Sequence, residues 1–321
     1  MSEKLTPEKT SILKQRATKF ALLASTLQLI IKLTAWVFTG SIGVLTVAID
    51  SLADMMMSLV NYLAVRKGAQ PADRYHRFGF GKYESLAGLI QSTFLLGMAV
   101  VIMFEGVDRF FHPHQIVNIE WGIGAMIISL ILIAAVVLYQ QYVIRLTNSI
   151  VVRADSLHYK SDIMMNSAII VSLLLSEKAG IPWIDSIFAI FIALYLLWGA
   201  KGIFIEALNA LMDKEFPDDV RRNIHDIALS DPDVLGVHDL RTRSCGDNKF
   251  IQLHIEMEPE MNLNKAHQVT ERVIDSILEV HEGAEVQIHE EPVGMPRHRS
   301  WCHKKENTYI ENQGEYSGKD L

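Results

Sequence analysis

Cysteine is nearly absent: 321 residues carry two, Cys245 and Cys302. Both fall in segments read below as cytosolic, where thiols stay reduced, so a disulfide framework is excluded. The ligand pattern of a zinc protease is missing too. His-Glu pairs occur only at 281–282 and 289–290, in the C-terminal part, and neither has the second histidine of an HExxH pattern. This leaves an intramembrane metalloprotease without its ligands. Basic residues are scarce between 213 and 292, where 19 Asp/Glu stand against 8 Lys/Arg, a net of -11. The rest of the chain carries +4, giving the overall -7. An acidic half of this kind disfavours nucleic acid as a partner and suits cations.

Charge is also scarce through most of the first 208 residues, which form a series of long apolar stretches. A membrane-spanning helix needs about 20 mostly apolar residues. Six segments qualify: roughly 20–38, 42–65, 86–108, 120–143, 158–176 and 183–206. The polar N-terminal stretch MSEKLTPEKTSILKQRATK precedes a run long enough to span, so it reads as leading into a retained helix and not a cleaved signal. Six spans put both termini on one side. Lysines and arginines crowd the N-tail, the 66–82 loop and the 145–160 loop, while the opposite loops hold none, Arg109 alone and Lys178 alone. By the positive-inside rule both termini face the cytoplasm. The expected division is a cytosolic N-tail (1–19), a six-helix transmembrane domain (20–208), a cytosolic α+β domain (209–292) and a disordered tail (293–321). Lys32 is an oddity inside the first span, and snorkelling is the simplest account of it.

The soluble part reads α-β-β-α-β. FPDDVRRNIHDIAL is a short helix, and VLGVHDLRTRS and KFIQLHIEME are strands joined by CGDN. Ile251, Leu253, Ile255 and Met257 face one side of the second strand, and Gln252, His254 and Glu256 face the other. NKAHQVTERVIDSIL is an amphipathic helix with Ala266, Val269, Val273 and Ile277 on its stripe. AEVQIHEE is the last strand, completing a small two-layer domain.

The second span contains AIDSLADMM, which places two carboxylates, Asp50 and Asp54, one helical turn apart in an apolar setting. Each charged carboxylate at mid-bilayer costs at least about 2.5–3.5 kcal/mol, so a pair is rarely incidental. The fifth span begins RADSLHYKSDIMMNSAII, where His158 and Asp162 repeat the i,i+4 spacing. If those two faces pack together, three carboxylates and an imidazole converge. Such an N/O set suits tetrahedral Zn²⁺ and also accepts Fe²⁺, Mn²⁺ or Cd²⁺. A polar seam or water-filled pocket is the alternative. Metal binding needs deprotonated ligands, so metal and protons compete for one site. His158 is the natural proton carrier, having a reference pKa nearest neutrality.

DSLAD, LHYKSD, the loop PADRYHRFGFGKYES and the VHDLRTR and FIQLHIEMEP strands together resemble the cation diffusion facilitators, and within them the bacterial zinc/ferrous-iron efflux subgroup (YiiP-type). The resemblance runs from about Ala17 to Pro292. It implies six transmembrane helices and a cytosolic ferredoxin-like domain, assembled as a homodimer in the inner membrane. The expected activity is divalent-cation/proton antiport, with Asp50, Asp54, His158 and Asp162 as the transport site. It further implies that Leu157 belongs to a hydrophobic gate, and that Lys82 and Asp213 form salt bridges at the dimer interface. The family's loop-borne site falls on Asp73 and His76. Its third ligand, a histidine between two glycines, is Phe80 here, which cannot ligate a metal, so that site is expected to be weak or absent.

In the cytosolic part His238 and His254 are symmetric about Gly246, the middle of the inferred hairpin turn, which makes them cross-strand partners. His289 and Glu291 share a face of the last strand, and His267 starts the second helix on its polar side. Spacing alone leaves scattered surface histidines equally open. The resemblance implies a binuclear metal site at the dimer interface, with Zn²⁺ as regulatory ligand, at His238, His254, His267, His289 and Glu291, the last being Asp in the relatives compared. His225 and His281 carry no motif and read as surface residues. The tail run RHRSWCHKK offers His298, Cys302 and His303, read as part of the disordered tail. The competing reading is a membrane-anchored metal sensor whose cytosolic domain binds metal.

Overall fold

The computed structural model describes residues 7–40, 42–111, 120–179 and 184–294. Residues 295–321, including His298, Cys302 and His303, lie outside the described residues. The chain divides into two compact units, with the boundary between Leu211 and Met212.

Among the described residues the first unit contains six long helices: α1 Pro7–Thr39, α2 Ile42–Gly68, α3 Lys82–Phe111, α4 Glu120–Thr147, α5 Ile150–Ala179 and α6 Ile184–Leu211. Among the described residues five of them are long and apolar enough to cross a membrane. The exception is α5, whose first half carries Arg153, Asp155, His158, Lys160 and Asp162. Large apolar side chains such as Phe38, Phe104, Leu138 and Trp198 are exposed, as lipid-facing positions should be. Helix α1 starts thirteen residues before the expected span. Its Lys14 is not a free loop charge: it is buried, with Nζ 3.2 Å from both carboxylate oxygens of Glu84. Ser149 Oγ donates to the same carboxylate at 3.1 Å.

Small residues let α3 and α6 approach closely. A Cβ added at Gly106 would stand 3.3 Å from the Ile190 backbone nitrogen and 3.2 Å from Ala189 Cβ. Between α4 and α5 the chain reverses at Asn148, which adopts φ 49° and donates its N–H to Ile144 O at 2.9 Å. Asn tolerates this left-handed helix cap better than most residues.

The second unit reads α7 Asp218–Leu229, β1 Gly236–Cys245, β2 Asn248–Met257, α8 Leu263–Val280 and β3 Ala284–Pro292. The sheet order is β1-β2-β3, with β1/β2 antiparallel and β2/β3 parallel through the α8 crossover. Ile224, Leu253, Ile255, Val269, Val273 and Ile277 form its core between the helices and one sheet face. Asn262 caps α8, its side chain accepting from Lys265 N at 3.0 Å.

Candidate metal centres

In the first unit α2 and α5 bring Asp54, His158 and Asp162 together, with their ligand atoms within 4.8 Å of one another. His158 Nε2 lies 2.9 Å from Asp54 Oδ1 and 3.6 Å from Asp162 Oδ2. The imidazole is buried, while both carboxylates stay partly open. Asp50, one turn earlier on α2, is exposed and outside this group. The result is two carboxylates and one imidazole nitrogen around a small volume, a donor set that fits a borderline divalent cation. His158 Nδ1 is buried without a hydrogen-bond partner.

Lys32 has a partner that sequence reasoning did not name. Its Nζ donates to Ser51 Oγ at 2.5 Å, on the α2 turn between Asp50 and Asp54. Leu157 is buried and lies over α6, where a Cβ on Gly199 would come within 2.8 Å of Leu157 Cδ2. Lys82 Nζ donates to Leu211 O at 3.3 Å in the first unit, and Asp213 pairs with Arg243 at 3.7 Å in the second.

Sequence reasoning also missed Asp155, a buried carboxylate three residues before His158. Asn61, Gln91 and Gln140 all donate to it. The available signal was three amide side chains, each in an otherwise apolar span.

In the 69–81 loop Asp73 Oδ1 accepts from Tyr75 N at 2.9 Å, His76 N at 2.6 Å and lies 3.1 Å from His76 Nδ1. The His76 N–H in particular holds the Asp73 carboxyl below its ordinary pKa. Phe80 is buried, with its ring 4.6 Å from that of His76 between centroids, and Lys67 Nζ stands 4.0 Å from the Phe80 centroid. Among the described residues no third metal-ligating side chain joins Asp73 and His76.

In the second unit His238, His254 and Glu291 form the other such group among the described residues, within 4.8 Å. The strand register lines His238, His254 and His289 across all three strands, with ring centroids 5.2 and 4.6 Å apart. The symmetry about Gly246 expected from sequence needs correction. The turn is Gly246–Asp247, with Cys245 opposite Asn248, and continuing that register would set His238 against Ile255. A bulge between His238 and Arg241, with Asp239 at φ 47°, shifts the pairing by one and puts His238 opposite His254.

Glu291 lies 2.9 Å from His254 Nδ1 and 3.2 Å from His238 Nε2. Burial works to raise its carboxyl, but the hydrogen bond to His254 and the neighbouring histidines outweigh it, and its pKa lies below the ordinary value. His238 also has Glu256 Oε1 at 3.4 Å from its Nδ1. His289 is more exposed and sits 3.5 Å from Glu291. His267 stands apart on α8, exposed and 4.0 Å from Glu271. His225 pairs with Asp226 at 3.3 Å.

Two family domains match this chain: the cation efflux transmembrane domain over residues 18–212 and the cation efflux protein cytoplasmic domain over 216–293. Among similar proteins is the cation-efflux pump FieF of Cronobacter sakazakii, 44% identical over 88% of this chain and 94% of its own. FieF of Yersinia pestis (strain Pestoides F) is 43% identical over 92% and 99%. FieF of Shewanella oneidensis is 42% identical over 85% and 92%. A solved structure, the metal-bound C-terminal domain of the CzcD transporter from Thermotoga maritima, matches 25% of this chain and 93% of its own at 30% identity, with a TM-score of 0.24. With one domain covering more than half its length and such relatives matched nearly throughout, the chain belongs to the cation efflux (cation diffusion facilitator) family, a family of membrane transporters.

Proposed function

We propose that this protein is a divalent-cation/proton antiporter that exports Zn²⁺, with Fe²⁺, Cd²⁺ and Mn²⁺ as further substrates, from the cytosol. The carrying observation is the convergence of Asp54, His158 and Asp162 inside the membrane unit. Two partly open carboxylates and one imidazole make a site that a dehydrated cation can enter. Asp50, exposed and outside the group before an ion is bound, joins it as the fourth ligand from one turn away on α2. The hydrogen bond between His158 and Asp54 occupies the atoms that would bind metal. Loading the site therefore exchanges protons for metal. His158 carries the proton and Leu157 gates access. The protein works as a homodimer in the bacterial inner membrane, with both termini cytoplasmic. Lys82 and Asp213 form salt bridges at its dimer interface. The group around His238, His254 and Glu291, extended by His289 and by His267, binds Zn²⁺ as a regulatory ligand.

The second reading, a membrane-anchored metal sensor, is favoured by that cytosolic group alone. One experiment separates them: metal uptake into proteoliposomes under an imposed pH gradient, comparing the four metals for wild type and Asp54→Ala. Metal-driven proton flux that disappears in folded Asp54→Ala supports the antiporter. Equal flux in both removes Asp54 from the site, and no flux for any metal leaves the sensor.

A further inference from the structure

The most enclosed carboxylate among the described residues of the membrane unit is not in the metal group. Asp155 is 1% exposed. A carboxylate so removed from water is costly unless every lone pair that faces protein is met. Three neutral amides meet it, each from a different helix. Asn61 Nδ2 on α2 donates to Oδ1 at 3.0 Å, Gln91 Nε2 on α3 donates to Oδ1 at 3.3 Å, and Gln140 Nε2 on α4 donates to Oδ2 at 2.6 Å. Asn61 Nδ2 is also 2.6 Å from Gln91 Oε1, which ties two of the donors together.

The amides present N–H even though this leaves Asn61 Oδ1 and Gln140 Oε1 buried without partners among the described residues. The reverse orientation would set carbonyl oxygens against a carboxylate, which is worse. N–H groups aimed at both carboxylate oxygens make an anion clamp and not a second cation site.

The clamp has a fixed relation to the metal group. Asn61 lies seven residues after Asp54, two turns along the same α2 face, and Asp155 lies three before His158 and seven before Asp162. Between them Ser58 Oγ and Tyr159 OH are 3.0 Å apart. Thus α2 and α5 are joined at Asp54–His158, Ser58–Tyr159 and Asn61–Asp155. The first of these must open when an ion takes its ligand atoms. The third need not.

We propose that Asp155, clamped by Asn61, Gln91 and Gln140, is a positioning residue for the metal group. It fixes the rotation and height of α5, so that His158 and Asp162 keep facing Asp54 while the Asp54–His158 bond gives way to the ion. A slip of one residue along α5 would turn the His158 ring about 100° off that face. The inference rests on the reading of Asp54, His158 and Asp162 as the cation site.

The test is Zn²⁺ affinity of the membrane group, measured by calorimetry on full-length detergent-solubilised protein carrying His238→Ala and His254→Ala to silence the cytosolic group. Zn²⁺ transport in proteoliposomes is measured in parallel. Asp155→Asn should weaken Zn²⁺ binding, and raise the half-saturating Zn²⁺ of transport, by about tenfold or more. The maximal rate per folded protein should change far less. Gln140→Met, which removes the Oδ2 donor, should shift both in the same direction by less, and it serves if Asp155→Asn does not fold. The exchange Asn61→Asp with Asp155→Asn should regain affinity by restoring an amide–carboxylate pair. Unchanged affinity in either folded single variant overturns the proposal, as does a loss confined to the maximal rate. Parent protein that binds Zn²⁺ but does not move it sinks the transport reading alone, because affinity still judges the clamp. Parent protein that binds no Zn²⁺ in the membrane unit sinks both.

Discussion

Phe80 decides the fate of the loop pair. Its ring stacks beside His76 and places the Lys67 ammonium close by, so the third position offers neither a lone pair nor a negative charge. Asp73 spends its carboxylate on its own loop backbone, which accounts for its conformation without metal. We expect His76→Ala to leave both half-saturation and maximal rate of Zn²⁺ transport near wild type. A severe loss in that assay would mean that Asp73 and His76 work with an unrecognised ligand. Glu291 shows the opposite case. It is one methylene longer than aspartate, yet it reaches both His238 and His254 without an ion.

Secondary elements set tolerances that single side chains do not. At the α3–α6 contact a Cβ on Gly106 would meet Ile190 Cγ1 at 3.1 Å, Ala189 Cβ at 3.2 Å and the Ile190 backbone nitrogen, which cannot step aside, at 3.3 Å. Gly106→Val should therefore cost about 1–3 kcal/mol through overpacking. A lowered thermal midpoint in detergent, with the cytosolic unit unaffected, is the expected reading. In the second unit Arg272 on α8 donates to Asp231 at 2.8 Å and to Asp233 at 2.9 Å, both in the segment after α7. The Arg272 bond holds the Asp231 carboxyl below its ordinary value, and Lys265, then Arg272, do the same for Asp233. Folded carboxyls with depressed pKa contribute stability that is complete above the unfolded value of about 3.9 and is lost as pH falls through the lower folded values. Acid unfolding of the 212–294 fragment, followed by circular dichroism, should thus begin at higher pH for Arg272→Gln than for wild type. Coincident acid transitions would show that this network carries no linkage.

At the scale of the whole molecule, two units each hold a separate group of metal-type ligands. Independent groups predict independent losses. Asp54→Ala should abolish transport while the full-length protein still binds Zn²⁺ through the cytosolic group. Loss of both from one substitution in a folded protein would mean that the groups are energetically coupled.

The two-part plan was legible in the sequence, because apolar length and residue alternation are local signals. The six long helices, the αββαβ order and the core stripe Ala266, Val269, Val273 and Ile277 were all legible that way. So was the i,i+4 spacing of Asp50 with Asp54 and of His158 with Asp162, since that spacing fixes a helix face whatever packs on it. Tertiary structure alone decided which residues meet. Asp50 stays exposed while Asp54 joins His158, because the orientation of α2 against α5 is set by packing and not by spacing. His238 faces His254 only through a bulge that no composition rule announces. Asp155 is clamped because Asn61, Gln91 and Gln140, 94, 64 and 15 residues away, are folded onto it from three helices. Contacts made across that much chain have no local signature, so only the folded bundle could reveal them.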